Sequence, residues 1–178
     1  RGQERGGAEV SGASVGSRDL TFRPAPYTPR DLTIEIGTAG STALVLQTLH
    51  LALALRTDRP VRVLLSGGTF NPSAPSFPFL ATTWRAHLAA LGAPIALAMP
   101  RAGFYPRGGG VLDAWIEPAQ LRPITLTDRG PLVRIHGHAG VARLNPAIAE
   151  RLRARALDRL SGRGLSAEIT RADWPSLG

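Results

Sequence analysis

The stretch from residue 31 to residue 48, DLTIEIGTAGSTALVLQT, begins a succession of strands and helices with a strand-like segment and the start of a helix. Its first part alternates polar residues with three apolar ones, Leu32, Ile34 and Ile36. That alternation is the pattern of a half-buried strand, and Gly37 ends it. From Ser41 to about Leu55 the residues are strong helix formers and almost all apolar, so we expect a buried helix.

The same alternation of strands and helices continues to residue 118. PVRVLLSGG (60–68) predicts a strand, and the segment from Phe79 to Leu91 has helical spacing, with Gly92 as its stop. APIALAMP (93–100) and VLDAWIEP (111–118) predict two further strands, joined by a loop that holds three consecutive glycines. Residues 31–118 therefore predict strand, helix, strand, helix, strand, strand. Such units place helices on a mixed sheet, in the α/β or α+β class.

The segments that flank this unit differ from it. Residues 8–24 predict two short strands around a Gly/Ser turn, and they close at a proline as residues 111–118 do, which suggests the tail of a preceding copy of the unit. After Pro118 we expect strands between residues 121 and 144, a helix over 145–162 and a strand in LSAEIT (165–170). We predict that residues 1–120 belong to one domain and that residues 121–178 begin a second, smaller α/β domain.

The helix predicted over residues 145–162 is amphipathic and rich in arginine. Five apolar residues follow one face: Ala147, Ile148, Leu152, Ala156 and Leu160. Four arginines lie mostly off that face: Arg151, Arg153, Arg155 and Arg159. A solvated face is the simpler interpretation, and contact with RNA is the alternative.

Composition excludes several kinds of chemistry. The 178 residues contain no cysteine, so there is no disulfide, no thiolate nucleophile and no cysteine metal site. All 21 basic residues are arginine and the net charge is +8. The arginine bias fits a high-GC genome, while the basic excess favours an anionic partner such as RNA or a nucleotide. Without lysine, this chain cannot store AMP on a lysine as some ligases do.

Neither a signal peptide nor a membrane span is expected. RGQERGGAEV (1–10) lacks an apolar core, and ALVLQTLHLALAL (43–55) is too short to cross a bilayer and is interrupted by polar residues. We therefore expect a soluble, cytoplasmic protein with no membrane partner. Because the chain lacks an initiating methionine, we also expect an internal piece of a longer chain.

Several motifs suggest binding, each with a structural alternative. The small-residue turn before the first helix suits an anion, although such turns also simply start helices. Gln47 is a polar residue in an apolar helix, so its amide needs a partner. SGGTFNPSAP (66–75) follows a strand but is not a Walker loop, because it lacks the lysine. His136 and His138 share a strand face without a third metal ligand nearby, and His50 and His87 each stand alone on a helix.

Three motifs in this order, IGTAGSTALVLQT (36–48), SGGTFNPSAP (66–75) and GFYPRGGG (103–110), resemble the RNA 3'-terminal phosphate cyclase family. The resemblance extends from about Gly7 to Arg129. It implies a large domain built from three copies of the strand-helix-strand-helix-strand-strand unit, with a small α/β domain inserted into it. The chain would then hold the tail of the first copy, all of the second (about 31–118) and the start of the insert.

The resemblance also implies an activity. The family uses ATP and a divalent metal, Mg²⁺ or Mn²⁺, to act on an RNA with a 3'-phosphate end. AMP passes first to an enzyme histidine and then to the RNA phosphate, and the neighbouring 2'-hydroxyl attacks to give a 2',3'-cyclic phosphate. This places the protein among ATP-dependent ligases of RNA processing.

Particular residues take roles through this resemblance. Gln47 corresponds to a glutamine that contacts the nucleotide, and Pro75 to a proline that lines it. Arg101 and Arg107 are expected on a basic surface that faces RNA or phosphate. The nucleophilic histidine belongs to a C-terminal segment outside this chain, so none of its four histidines takes that role, and the chain alone is expected to be inactive.

Two departures from the family pattern put the detail of the contacts in doubt. Phe70 stands where many members have a polar or acidic residue, and Pro78 where an aspartate is common. An alternative function is that of a non-catalytic, cyclase-like protein that binds RNA during ribosome assembly. A carboxyvinyl transferase of related architecture is a third candidate, but it would require lysines that the chain lacks.

Overall fold

A computed structural model describes residues 8–177 of the chain. Residues 1–7 and residue 178 lie outside the described part, and with them most of the opening segment on which the expectation about a signal peptide rests. Eight strands are found in the described part: β1 (Glu9–Ser11), β2 (Thr21–Arg23), β3 (Leu32–Glu35), β4 (Val61–Gly67), β5 (Ile95–Arg101), β6 (Gly110–Ile116), β7 (His136–Val141) and β8 (Glu168–Asp173).

Three helical segments connect these strands. The first is α1 (Thr42–Ala54), and the third is α3 (Pro146–Ser161). The second, α2, spans residues 77–91 and consists of Phe77–Phe79, a π-helical stretch Leu80–Trp84 and Arg85–Leu91. It ends at Gly92, which adopts the left-handed conformation (φ 84°) in which only glycine is unstrained. The predicted succession over residues 31–118 is therefore confirmed.

The central sheet has four strands in the order β3-β4-β6-β5. β3 and β4 are parallel, while β6 runs antiparallel to both β4 and β5. The sheet is thus mixed, and the predicted class, α/β or α+β with helices on a mixed sheet, is confirmed. β3, β4 and β5 all run in the same direction, so their carboxyl ends lie at one end of the sheet.

The core lies between one face of this sheet and the helices. Three alternate partner pairs on β4 and β6 point into it: Val61 with Ile116, Val63 with Ala114 and Leu65 with Leu112. From α1, Leu46 and Leu53 complete this layer. The prediction of a buried α1 holds for one face only, since Leu44 and Leu51 are exposed. Because almost every residue of α1 is apolar, the sequence alone could not show which face of the helix packs against the sheet.

The opposite face of the sheet carries an ion pair beside an aromatic ring. The Arg62 guanidinium donates to both carboxylate oxygens of Asp113, with Nε–Oδ1 3.0 Å and Nη2–Oδ2 2.7 Å. The same guanidinium lies 5.1 Å from the ring centroid of Trp115. Such bidentate geometry joins β4 to β6 on the face away from the helices.

The first strands form a two-stranded antiparallel sheet, as predicted, with Val10 opposite Phe22. Whether this pair is the tail of a preceding copy of the unit stays a prediction. No helix in the part of the chain that the structure describes is long and apolar enough to cross a membrane.

The last elements form a separate parallel pair, β7 and β8, connected by α3. The strands predicted between residues 121 and 144 are only partly present, because strand structure begins at His136. The predicted apolar face of α3 is correct only in part: Ile148, Ala156 and Leu160 are half-buried, but Ala147 and Leu152 are exposed while Ala149 is buried. The division of the chain into domains at residue 120 stays a prediction.

Candidate functional site

The loops that hold the three sequence motifs meet at one end of the central sheet. Each loop follows the carboxyl end of a strand, namely β3, β4 or β5, and these strands run in the same direction. Carboxyl ends of parallel strands are the usual place for ligands in open α/β sheets. We call the meeting place the glycine junction, and it comprises residues 37–42, 67–71 and 103–110.

The first two loops of the glycine junction are joined by hydrogen bonds. The Gly68 amide donates to the Gly40 carbonyl (2.8 Å), and the Thr42 amide and hydroxyl both donate to the Gly68 carbonyl (2.9 Å each). The Asn71 amide nitrogen donates to the Ala39 carbonyl at 2.6 Å. The start of α1 is therefore attached directly to the loop after β4.

The third loop attaches to the second. The Thr69 and Phe70 amides donate to the Gly103 carbonyl (2.9 and 3.2 Å), and the Gly103 amide donates to the Thr69 hydroxyl (2.9 Å). A Cβ atom at Gly103 would collide with the Gly110 nitrogen and the Gly67 carbonyl oxygen, and one at Gly108 with the first loop at Thr38 and Ala39. The glycines are needed because backbone packs against backbone here.

The start of α1 is capped within the chain. The Ser41 hydroxyl accepts a hydrogen bond from the Leu44 amide at 3.3 Å. This bond satisfies one of the amide groups that a helix leaves free at its start. The structural interpretation of the small-residue turn is thus supported, and an anion site there stays a prediction.

Gln47 and Pro75, the residues expected to contact the nucleotide, lie on segments that begin at the glycine junction. Gln47 is half-buried on α1, six residues beyond Ser41, about 9 Å along the helix axis. Within residues 8–177 its side-chain amide has no hydrogen-bond partner. Pro75 is half-buried near the end of the loop that follows β4. Their contacts with a nucleotide stay a prediction.

The two arginines expected to face RNA have different environments. Arg101 is half-buried, and its Nε donates to the Gly109 carbonyl at 2.6 Å, so it closes the glycine loop. Arg107 is exposed at the tip of the same loop. Of the pair, Arg107 is therefore the more exposed.

Two of the four histidines lie on helices. His50 is fully buried, its ring meets Trp84 edge-on at 5.2 Å, and neither ring nitrogen has a hydrogen-bond partner within the described residues. Burial lowers its pKa from 6.5, and the nearby Ala93 backbone offsets this in part without forming a well-aligned bond. His87 is exposed and bonds through Nδ1 to the Thr83 carbonyl.

His136 and His138 are exposed on one face of β7, as the alternation predicted. His138 Nδ1 lies 2.7 Å from the Thr170 hydroxyl on β8. In the part of the chain that the structure describes, no three His, Asp or Glu side chains lie close enough to share a metal ion.

An aromatic cluster that the sequence did not reveal lies beside the glycine junction. The Phe70 and Phe104 rings stack at 5.1 Å with an angle of 6°, and Trp174 lies 4.8 Å from Phe70 at 34°. The cluster borders a cavity of about 270 Å³ that Pro78 and His138 also line. Phe70 and Pro78, the two departures from the family pattern, thus share one cavity. Residues 70 and 174 are too far apart in sequence for any pattern to relate them.

The arginines of α3 are partly paired. Arg153 donates to Glu150 at 2.8 Å, and this bond, with the charges of Arg153 and Arg171, lowers the pKa of the Glu150 carboxyl. Arg155 pairs with Asp158 at 3.2 Å. Both pairs lie on the helix surface, which favours the solvated interpretation of this face.

Comparison with known proteins supplies the family. The model of the RNA 3'-terminal phosphate cyclase family matches residues 3–168. An RNA 3'-terminal phosphate cyclase of Pseudomonas fluorescens is 46% identical over 154 residues, which cover 86% of this chain and 45% of that protein. One of Koribacter versatilis is 44% identical over 169 residues, covering 94% of this chain and 46% of that protein.

A third relative is somewhat less similar in sequence. An RNA 3'-terminal phosphate cyclase of Caldivirga maquilingensis is 40% identical over 164 residues, which cover 92% of this chain and 46% of that protein. The chain spans slightly less than half the length of the curated relatives it matches. Since the family match includes the whole glycine junction, the chain belongs to the RNA 3'-terminal phosphate cyclase family.

Proposed function

We propose that the protein to which this chain belongs converts the 3'-terminal phosphate of an RNA into a 2',3'-cyclic phosphate at the expense of ATP. The observation that supports this most is the glycine junction, in which the three motifs shared with the family are bonded into one surface. The relatives named above are called RNA 3'-terminal phosphate cyclases. In this proposal the chain supplies the nucleotide-binding loops and part of the RNA-binding surface.

The proposed reaction has three displacements at phosphorus. A histidine nitrogen attacks the α-phosphorus of ATP, and pyrophosphate leaves. An oxygen of the RNA 3'-phosphate then takes the AMP, which releases the histidine. Finally the 2'-hydroxyl attacks the 3'-phosphorus and AMP leaves, a step favoured because nucleophile and phosphorus belong to the same ribose.

In this proposal Gln47 and Pro75 hold the nucleotide. The Gln47 amide, which has no partner within residues 8–177, hydrogen-bonds the nucleotide, while the Pro75 ring packs against it. Arg107, exposed at the glycine loop, offsets phosphate charge. None of His50, His87, His136 and His138 is assigned as the nucleophile.

The family implies a divalent ion, Mg²⁺ or Mn²⁺, which would offset charge on the transferred phosphoryl group. The residues that the structure describes do not fit the ion by themselves, since no three acidic or histidine side chains come together among them. No step of the proposal therefore depends on a metal ion held by this chain.

An assay of RNA cyclisation with and without ATP, performed on the full-length protein that the gene encodes, tests the proposal. Replacing Gln47 with alanine should raise the KM for ATP roughly tenfold, as expected for the loss of one hydrogen bond of about 1–1.5 kcal/mol. Gln120→Ala is the matched control, because Gln120 is exposed on the chain that follows β6. Absence of ATP-dependent cyclisation in the wild type would refute the function, and an unchanged KM in Gln47→Ala would refute the role of Gln47.

A second experiment examines the histidines. Residues 1–178 alone, incubated with labelled ATP and Mg²⁺, should form no acid-labile protein–AMP adduct, because none of the four histidines is the nucleophile. Labelling of His136 or His138 would contradict this assignment. If the complete protein also forms no adduct yet binds RNA, the alternative function, a non-catalytic RNA-binding protein in ribosome assembly, replaces the proposal.

A further inference from the structure

We propose that the cavity beside the glycine junction holds one nucleotide of the single-stranded RNA substrate, with its base against the aromatic rings and its ribose near His138. We call this cavity the aromatic pocket; it is lined by Phe70, Ser76, Phe79, His136, His138 and Trp174, among others. The inference rests on the proposed function, and it adds a location and a mode of recognition for the RNA.

The first argument is the presence of aromatic faces at an open cavity. Phe79 is 44% exposed although it is a large apolar residue, and Trp174 is only half-buried. Single-stranded RNA is generally recognised by stacking its bases on such rings, because every base has a π-face. Trp174 is also held in place, since its amide donates to the Val141 carbonyl and its ring packs on Gly140.

The second argument is the size of the cavity. Its volume is about 270 Å³, slightly below the roughly 300–1,000 Å³ typical of pockets for drug-sized ligands. A pocket of this size suits one unit of a polymer whose remaining nucleotides stay outside.

The third argument is the free nitrogen of His138. The Thr170 hydroxyl lies 2.7 Å from Nδ1 of His138 and 3.3 Å from the Gly137 carbonyl, to which it can donate. When it does so, it accepts from Nδ1–H of His138, and Nε2 of the neutral ring is left as an acceptor. The ribose 2'-hydroxyl is a donor that DNA lacks, so His138 can favour RNA.

The fourth argument is position. Ser76 lines the aromatic pocket and directly follows Pro75, the residue proposed to pack against ATP. Phe70, in the same loop, is bonded through its amide to Gly103 in the glycine junction. An RNA end that receives AMP must lie next to the nucleotide, and the aromatic pocket meets that requirement.

Affinity for RNA tests the stacking. In the protein as its gene encodes it, anisotropy of a 5'-labelled RNA oligonucleotide with a 3'-phosphate, measured without ATP, should show a Kd at least fivefold higher for Trp174→Leu and Phe79→Leu. Trp174→Phe should bind as the wild type does. If the Trp174→Leu variant does not fold, the Phe79→Leu variant still tests whether an aromatic ring of the pocket binds RNA. Trp115→Leu, which removes an exposed tryptophan from the sheet face near Arg62, is the matched control and should bind normally.

Comparison of RNA with DNA tests the role of His138. His138→Ala should raise the Kd for RNA roughly threefold or more and leave that for DNA of the same sequence unchanged. His87→Ala, on the exposed side of α2, is the control. Unchanged RNA affinity in both Trp174→Leu and Phe79→Leu would overturn the inference. A higher KM for ATP in these two variants, together with normal RNA binding, would overturn it as well.

The outcomes separate this inference from the proposed function. If the wild type cyclises RNA but the aromatic variants bind it normally, only the aromatic pocket is wrong. If the wild type binds RNA in a way that depends on Trp174 and Phe79 but does not cyclise it, the pocket is right and the activity is wrong.

Discussion

His50 illustrates how a single side chain can make the stability of this chain depend on pH. Its imidazole is fully buried against Trp84, with no hydrogen-bond partner for either nitrogen among the described residues. Burial disfavours the charged ring and lowers its pKa in the folded chain. Above the ordinary value of 6.5 the ring is neutral both folded and unfolded, so no stability is lost there.

As the pH falls below 6.5, the unfolded chain takes up a proton that the folded chain resists. The free energy of unfolding should therefore decrease until the pH passes the lowered pKa, by about 1.4 kcal/mol for each unit of difference between the two pKa values. In His50→Leu this decrease should be absent, while the control His87→Leu should keep it. Denaturant unfolding at several pH values measures this, and identical pH slopes for wild type and His50→Leu would contradict it.

Single residues also show where sequence reasoning succeeded and where it failed. Gly92 was placed correctly at a helix end, because the left-handed conformation that glycine alone adopts without strain is a local property of the backbone. Trp174 was missed, because its contact with Phe70 joins residues more than one hundred positions apart in the sequence. Arg153 was placed off the packed face of α3, yet it is half-buried and its charge is met by Glu150.

At the scale of elements, the loops after β3, β4 and β5 behave as one unit. Local patterns predicted each of these strands, and the family motifs marked each loop. The direct bonding of the loops could not be predicted, because it depends on backbone atoms that any sequence possesses and on the absence of Cβ atoms. Gly103 is the clearest case, since it packs against both Gly67 and Gly110.

Gly103→Ala should therefore destabilise the chain by about 1–3 kcal/mol, because the added methyl group has no space between two backbone segments. Gly162→Ala is the matched control, since Gly162 has ordinary helical angles (φ −63°, ψ −9°) at the end of α3. Thermal unfolding should show a clearly lower Tm for Gly103→Ala and little change for Gly162→Ala. Equal Tm values for the two variants would disprove the close packing at the glycine junction.

At the scale of the whole molecule, charge is the dominant feature. The net charge of +8 comes entirely from an excess of arginine, and several of these arginines are paired with acidic residues. Arg107 at the glycine loop and Arg56 after α1 are both exposed, and they lie near opposite ends of the central sheet. RNA that binds at the glycine junction should therefore involve Arg107 and not Arg56.

The salt dependence of RNA binding distinguishes these two arginines. Replacing an arginine that contacts phosphate should reduce the slope of log K against log salt concentration by about 0.7 for single-stranded RNA. We expect this reduction for Arg107→Gln and none for Arg56→Gln, when Kd is measured between about 50 and 200 mM salt. Equal slopes for the two variants would place the RNA elsewhere on the molecule.

The bonding of the glycine junction has a consequence for how this scaffold can diversify. Its loops are held by main-chain atoms, assisted by only a few polar side chains such as Thr42, Thr69 and Asn71. The side chain of Phe70 takes part in none of these bonds, although it faces the aromatic pocket. Mutation of Phe70 can therefore alter the aromatic pocket while these hydrogen bonds remain, at the cost of the stacking of Phe70 on Phe104. Selection on the lining of the pocket can thus proceed largely apart from selection on the hydrogen-bonded framework.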